Sequence, residues 1–186
     1  GKTSLSESLL LESGEIKQKG RVDHGDSLLD HDELERKKGI TIYAKSVYFS
    51  RENKRFFLLD TPGHREFSGE MERALRVLDY GILLLDMKEG IGKREIELWN
   101  LTREAGLPLF LFVNKMDRVG ANFYNVEQQI KDRLKANPVP IQIPIGAEDT
   151  FKGVIDLVQM RALTWDDTKG PGMPDVGEIP ADLQEK

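Results

Sequence analysis

The first four residues of the chain, Gly1, Lys2, Thr3 and Ser4, place a lysine and two hydroxyls directly ahead of an apolar helical pattern. They match the second half of the pattern G-x-x-x-x-G-K-[ST]. In that pattern, backbone N–H groups and the lysine hold phosphate oxygens, and the hydroxyl completes the coordination of Mg²⁺. An ordinary helix start with serine or threonine capping would give the same letters. These residues alone leave both interpretations open.

A second group lies in the segment LLDTPGHREF, where Asp60 ends an apolar run. An aspartate at the carboxyl end of a buried strand lies where open α/β sheets bind ligands, and it could hold Mg²⁺ through a water beside Thr3. Gly63 would let its backbone N–H approach a γ-phosphate. His64 could contact an attacking water. The alternative is a strand that ends in an Asx turn, followed by a surface histidine.

A third group, NKMD, follows the apolar run LPLFLFV. The Asp117 carboxylate can accept two hydrogen bonds, from the N1–H and the exocyclic amine of guanine, a pair that adenine does not offer. Asn114 can bond the edge of the base and brace the loop, while the stem of Lys115 covers the face of the ring. Because Asn, Lys and Asp are frequent after strands, this tetrapeptide alone is a weak indication.

A fourth group, KKGITI, places Thr41 shortly after a glycine. Its hydroxyl could close over Mg²⁺ and the γ-phosphate when GTP is bound, and an ordinary strand start is the alternative. The four motifs agree in their order along the chain, and each lies beside the element that its chemistry needs. Together they predict a GTP-binding domain.

The composition of the 186-residue chain fits a globular protein, with 39% hydrophobic and 32% charged residues. No apolar run has the length of a membrane span, and the lack of cysteine excludes disulfides and thiolate metal sites. The net charge of −5 argues against a broadly basic surface for nucleic acid, so an RNA partner would contact local patches. These features favour a cytoplasmic protein without a membrane partner.

Strand and helix patterns alternate along the chain, which predicts an α/β architecture. Leu5, Leu9 and Leu10 fall on one face of a first helix that can stop at Gly14. A hairpin, a helix, two strands buried on both faces with a helix between them, a further helix and a smaller sheet then follow. These stretches are Ser46–Asp60, Met71–Leu78, Gly81–Met87, Glu95–Ala105, Leu107–Asn114, Val126–Leu134 and the strands within IQIPIG and GVIDLVQMRALTW. The tail from Asp166 is predicted to be a connector or a truncated element.

Together, GKTS, KKGITI, DTPGH and NKMDRVGANFY resemble the nucleotide domain of the translational GTPases, most closely elongation factor G, over nearly the whole chain. The stretch from FVNKMDRVGANFY through NPVPIQIPIGAEDTFKGVIDLV is similar to that factor, including the subdomain inserted into its nucleotide domain. GRVDHGDSLLDHDELERKKGITI instead resembles the ribosomal protection proteins that confer tetracycline resistance, and HREF departs from the His-Val-Asp-Phe usual in elongation factor G. A divergent paralogue and a hybrid both fit this mixture.

The resemblance implies a P-loop NTPase fold, with a mostly parallel sheet and helices on both faces, lacking its first strand, plus part of an inserted α+β subdomain. Residues 1–119 would form the truncated GTP-binding domain, and residues 120–186 would form the partial subdomain. We expect the front of the phosphate loop and a base-contacting Ser-Ala-[KL] loop to lie outside the chain. The 186 residues alone should therefore bind GTP weakly or not at all, and low-micromolar affinity for a fluorescent GTP analogue would contradict this.

The resemblance also implies a role for each motif residue. The phosphates would contact Gly1, Lys2, Thr3, Ser4 and Gly63; Mg²⁺ would be held by Thr3, Thr41 and Asp60; guanine would contact Asn114, Lys115 and Asp117; and His64 would orient the attacking water. The implied partners are GTP, GDP and the ribosome, through its large-subunit RNA and proteins, and that RNA would order His64. Away from the ribosome a monomer is expected.

The function implied by the resemblance is ribosome-stimulated GTP hydrolysis that drives the translocation of tRNA and mRNA. One alternative keeps this chemistry but ejects an antibiotic from the ribosome. Another, of a different class, is a nucleotide-binding or inert module without turnover.

Overall fold

The computed structural model describes residues 1–18, 45–61, 68–166 and 173–184. The chain divides into two compact units, which are described separately. The first comprises residues 1–84 and 100–110, and the second comprises residues 85–99 and 111–186.

The first unit begins with helix α1 (Lys2–Glu12), which packs against strand β2. Its buried face is only partly apolar. Leu10 is buried as predicted, whereas Leu5 and Leu9 are only half-buried. Thr3, Ser6 and Glu7 are buried instead. The helix ends near the expected stop, since Gly14 has a φ of +79°.

The predicted hairpin is confirmed. Strands β1 (Lys45–Arg51) and β2 (Lys54–Asp60) pair antiparallel, with Lys45 opposite Asp60. The two turn residues, Glu52 and Asn53, both have positive φ, which is the backbone geometry that joins two strands with a right-handed twist. The hairpin therefore brings Asp60 to the end of a paired strand.

Helix α2 (Ser68–Leu75) follows, and the strand-helix-strand unit is then formed by β3 (Gly81–Asp86), α3 (Lys93–Glu104) and β4 (Leu109–Asn114). Strands β3 and β4 pair with each other. The pairing is parallel, because backbone N–H groups at the start and the end of β3 donate to carbonyls at the start and the end of β4. These bonds run from Gly81 to Pro108 at 3.0 Å and from Met87 to Asn114 at 3.1 Å.

The prediction that β3 and β4 are buried on both faces is wrong for this pair. Leu85 is fully buried, but Ile82, Phe110 and Phe112 are between 41% and 54% exposed. Successive strand residues point to opposite faces of a sheet, so one face can be covered while the other remains accessible. A continuous apolar run therefore reports the composition of both faces, not the coverage of each.

The second unit contains helix α4 (Phe123–Leu134) and an antiparallel sheet in the order β5-β6-β7-β8. Asn122 caps the helix by accepting the Asn125 N–H at 3.0 Å. The predicted helical stripe of Val126, Ile130 and Leu134 is confirmed as buried. The strands are β5 (Gln142–Ile145), β6 (Gly153–Asp156), β7 (Arg161–Thr164) and β8 (Asp175–Gly177).

The prediction that the tail from Asp166 is a connector or a truncated element needs correction. It contains β8, which pairs with β7 so that Val176 lies opposite Leu163. All three β8 residues are exposed, so this strand has no apolar alternation for a sequence pattern to detect. Backbone pairing alone makes it a strand.

Gly146, which follows β5, should be the least replaceable glycine of the second unit. Its φ is +79°, and a Cβ there would overlap the backbone carbonyl oxygen of Thr150. We expect Gly146→Ala to lower the free energy of unfolding by ~2–4 kcal/mol, from left-handed strain plus steric overlap. Gly14 has the same φ but open space around its Cβ position, so Gly14→Ala should cost only ~1 kcal/mol. Urea denaturation of both variants measures the difference, and equal costs would rule out the overlap.

Among the described residues, the structure contains no helix with the length and apolarity needed to cross a membrane.

Candidate nucleotide-binding site

The predicted phosphate-contacting residues lie at the start of α1. Gly1 is the N-cap, and its carbonyl accepts the Leu5 N–H at 3.0 Å. Its backbone nitrogen donates to Ser4 Oγ at 3.2 Å. Gly1 has no side chain of its own to accept a bond from the first turn, and the serine that takes part in this helix start is Ser4. Backbone N–H groups and the positive dipole end of an 11-residue helix favour an anion at this position.

Two of the predicted Mg²⁺-holding residues belong to elements that pack together in the first unit. Thr3 lies in the first turn of α1 and Asp60 ends β2, and both are buried, with exposures of 7% and 4%. A hydroxyl and a carboxylate are the hard oxygen donors that Mg²⁺ prefers, so the donor chemistry fits this ion. Thr41, Gly63 and His64 lie outside the described residues.

The predicted guanine-contacting residues lie in a loop of residues 114–120, here called the base loop. Asn114 ends β4, and its side-chain Oδ1 accepts the Lys115 N–H at 2.9 Å. Its carbonyl accepts the Met87 N–H at 3.1 Å, which ties the start of the base loop to the end of β3. Asp117 is exposed, so its carboxylate is accessible to a ligand.

Asp86, at the end of β3, contacts the base loop and was missed by the sequence motifs. Its Oδ2 pairs with Lys115 Nζ, and its Oδ1 accepts the backbone N–H groups of Lys88 and Glu89 at 3.0 and 3.4 Å. Burial raises the pKa of Asp86, but the bonds from Lys115 and the backbone outweigh burial and hold this pKa below its ordinary value. Asp86 follows an apolar run just as Asp60 does, so the same signal could have found it.

The loop after β3, which begins at Asp86, is in turn held by α4. Ile91 is fully buried, and its N–H donates to Gln129 Oε1 at 2.9 Å. The Ile91 carbonyl accepts a bond from Arg133 Nη1. The base loop, the loop after β3 and α4 therefore form one hydrogen-bonded assembly within the second unit.

The charge of Asp86 should be separable from its role in the turn. Asp86→Asn keeps an oxygen for the backbone N–H groups but loses the charge that pairs with Lys115. We expect the free energy of unfolding at pH 7 to fall by ~1 kcal/mol. A carboxyl with a lowered folded-state pKa stabilises the protein above its unfolded pKa and loses this effect as pH falls through the folded pKa. The deficit of the variant should therefore be constant from pH 7 to about pH 5 and shrink below about pH 4.

Urea titrations of wild type and Asp86→Asn between pH 7 and pH 3 test this. Glu127→Gln is the matched control, because Glu127 pairs with Lys131 at 2.6 Å one turn along α4 on the surface. Its cost should be only ~0.3–0.5 kcal/mol. A deficit for Asp86→Asn that is no larger than the control, or that grows on acidification, would contradict the assignment.

Two comparisons show what the chain is similar to. Residues 1–172 match the family model described as the elongation factor Tu GTP binding domain. A crystal structure of a protein from Thermus thermophilus matches with a TM-score of 0.90 at 26% sequence identity, covering 100% of this chain and 27% of that one. The chain thus spans about a quarter of the length of the structure it matches.

The match confirms the predicted fold class, an α/β domain of the P-loop GTPase type with parallel strands and flanking helices. It also confirms the resemblance to translational GTPases at the level of the family. Since the family model covers 172 of the 186 residues, the chain belongs to the family of elongation factor Tu GTP-binding domains, the nucleotide-binding domains of translational GTPases.

Proposed function

We propose that this chain is the GTP-binding and GTP-hydrolysing domain of a ribosome-dependent translation factor, most like elongation factor G. The observation that carries the proposal is the base loop. An exposed carboxylate, Asp117, lies on a loop fixed at its start by Asn114 and by the ion pair of Lys115 with Asp86. Such a carboxylate can accept both donors of guanine and would be left without hydrogen bonds by adenine.

At the phosphate end, Lys2 would neutralise charge on the phosphate oxygens while the N–H groups around Gly1, Thr3, Ser4 and Gly63 donate to them. Thr3, Thr41 and Asp60 would hold Mg²⁺, which when bound supplies further charge neutralisation. His64 would orient the attacking water. Phosphoryl transfer depends mostly on positioning and electrostatics, so hydrolysis should stay slow until ribosomal RNA orders His64.

The proposal extends to organisation and partners. Residues 1–119 are assigned to the GTP-binding domain and residues 120–186 to a subdomain of the elongation factor G type. GTP and GDP are the substrate and product. The ribosome, through large-subunit RNA and proteins, is the macromolecular partner. A cytoplasmic protein that is monomeric off the ribosome follows from this role.

A translocation assay tests the elongation role. Ribosomes carrying peptidyl-tRNA in the acceptor site do not react with puromycin, and the intact protein with GTP should restore that reaction. A second candidate role is ribosomal protection, favoured by the resemblance of residues 20–42 to proteins of that kind. If this role holds, the intact protein should leave the puromycin reaction unchanged and should instead restore translation inhibited by tetracycline. Failure of both assays would contradict the proposed ribosomal function.

A further inference from the structure

Glu148 joins the loop after β5 to the base loop through two hydrogen bonds. Its backbone N–H donates to the Met116 carbonyl at 2.9 Å. Its side-chain Oε1 accepts the Gly120 N–H at 2.7 Å. These contacts bracket Asp117, which lies between Met116 and Gly120 in the chain. One residue therefore fixes the base loop on both sides of the carboxylate proposed to read guanine.

The backbone of Glu148 is in an unfavourable conformation for its residue type. Its φ is +55°, in the left-handed region, which costs a residue with a Cβ roughly 1 kcal/mol relative to glycine. Non-glycine residues held in this region are concentrated at functional sites, where surrounding contacts enforce the conformation. The backbone of this position would therefore suit glycine better, and what glycine cannot provide is the carboxylate.

The other side of Glu148 is also anchored. It begins a short 3₁₀ turn (Glu148–Thr150), and its carbonyl accepts the Phe151 N–H at 3.2 Å. In the same turn, Thr150 Oγ1 accepts the Ala147 N–H at 3.1 Å and donates to the Ala147 carbonyl at 2.6 Å. Glu148 thus reaches the base loop from a turn that is hydrogen-bonded within itself, as a positioning group requires.

We propose that Glu148 is a positioning residue for base recognition, holding residues 116–120 so that Asp117 can accept both donors of guanine at once. This inference rests on the proposed function, because it needs guanine to be the base that is bound. The Asp117 carboxylate must be placed more accurately to accept two hydrogen bonds from guanine than to accept one. Loss of Glu148 should therefore weaken mainly the second of these bonds, the one from the exocyclic amine.

Inosine diphosphate isolates that second bond, because hypoxanthine keeps the N1–H of guanine and lacks the exocyclic amine. The ratio of the dissociation constants for IDP and GDP therefore measures what the amine contributes. A residue that merely stabilised the fold would weaken both nucleotides equally and leave the ratio unchanged. A residue that positions Asp117 changes the ratio itself.

The experiment measures displacement of fluorescent mant-GDP by GDP, IDP and ADP from the intact protein and its variants. Glu148→Gly removes the carboxylate but relieves the left-handed strain, so the fold should be preserved. We expect it to weaken GDP binding by ~10-fold and to lower the ratio of the IDP and GDP constants by ~5-fold. Glu148→Gln keeps an oxygen acceptor for the Gly120 N–H and should retain the wild-type ratio within ~2-fold.

Met160→Gly is the matched control. Met160 also has a left-handed φ, +53°, and lies in the turn between β6 and β7 with 64% of its surface exposed. Its replacement relieves the same type of strain without touching the base loop, so GDP affinity and the ratio should match wild type. Thermal unfolding followed by circular dichroism verifies that all variants are folded.

The outcomes separate the proposed function from the positioning role. If wild-type protein binds GDP no better than ADP, the proposed function fails and this inference fails with it. Suppose instead that the wild type binds GDP more tightly than ADP and more tightly than IDP. If Glu148→Gly then leaves the ratio of the IDP and GDP dissociation constants unchanged, the positioning role alone is overturned. The positioning role is also overturned if Glu148→Gln lowers the ratio as much as Glu148→Gly does.

Discussion

Replacing His64 with alanine in the intact protein should abolish ribosome-stimulated GTP hydrolysis and leave GTP binding within ~2-fold of wild type. Activation in trans of this kind is worth ~10³–10⁵ in rate, and the whole of that factor depends on the group that orders the attacking water. In this assignment the histidine contacts the attacking water and no part of the nucleotide. Its removal should therefore change the affinity for GTP very little. The largest single effect proposed for this chain is therefore on kcat.

Single-turnover hydrolysis on ribosomes, combined with equilibrium binding of a non-hydrolysable GTP analogue, measures the two effects separately. Arg65→Ala is the control, because it truncates the next residue of the same segment and leaves the imidazole in place. Its rate should stay within ~5-fold of wild type. Ribosome-stimulated hydrolysis that survives in His64→Ala would show that another group orders the water.

Replacing Asp117 with asparagine should weaken GTP binding by at least ~100-fold, through loss of two charge-assisted hydrogen bonds. The variant should also gain affinity for XTP. Xanthine carries a carbonyl where guanine carries the exocyclic amine, and the asparagine amide can donate to that oxygen. The Asp117 carboxylate of the wild type has only acceptors and no donor to offer this carbonyl oxygen. The expected result is therefore a change of preference from GTP to XTP. General damage to the fold would weaken binding of both nucleotides and cannot produce this change.

Competition of GTP, XTP and ATP against a fluorescent guanine nucleotide measures this change of preference. Asp132→Asn is the control, since Asp132 is an exposed carboxylate on α4 that accepts a bond from Gln128 Nε2 at 3.2 Å. It makes the same chemical change in the same unit and should leave all three affinities unaltered. An Asp117→Asn variant that weakens GTP, XTP and ATP in equal proportion would remove Asp117 from the base site.

Local patterns predicted those parts of the fold whose determinants lie close together in the sequence. The spacing of Val126, Ile130 and Leu134 identified both α4 and its buried face. The hairpin of β1 and β2 could be predicted equally well, because two apolar strands flank a short polar turn. Strand β8 could not be predicted in this way, because its residues are exposed and its strand conformation comes from pairing with β7.

In the candidate site, too, some residues could be predicted from local sequence patterns and others could not. The sequence motif NKMD located Asn114 at the end of β4 and Lys115 and Asp117 just after it. The contacts that hold their loop come from residues 29 and 28 positions away, Asp86 and Glu148. Neither contact leaves a signal in the sequence: Asp86 stands out only as an acidic residue after an apolar run, and Glu148 is a single acidic residue in a turn. Only the folded chain shows that both reach the base loop.

Hydrolysis of GTP by this domain in response to the ribosome is open to direct measurement. The intact protein is incubated with GTP, with and without ribosomes, and the release of phosphate is followed over time. We expect slow turnover of the protein alone and an acceleration of ~10³-fold or more on ribosomes. Equal rates in the two samples, or no release of phosphate in either, would contradict the proposed function.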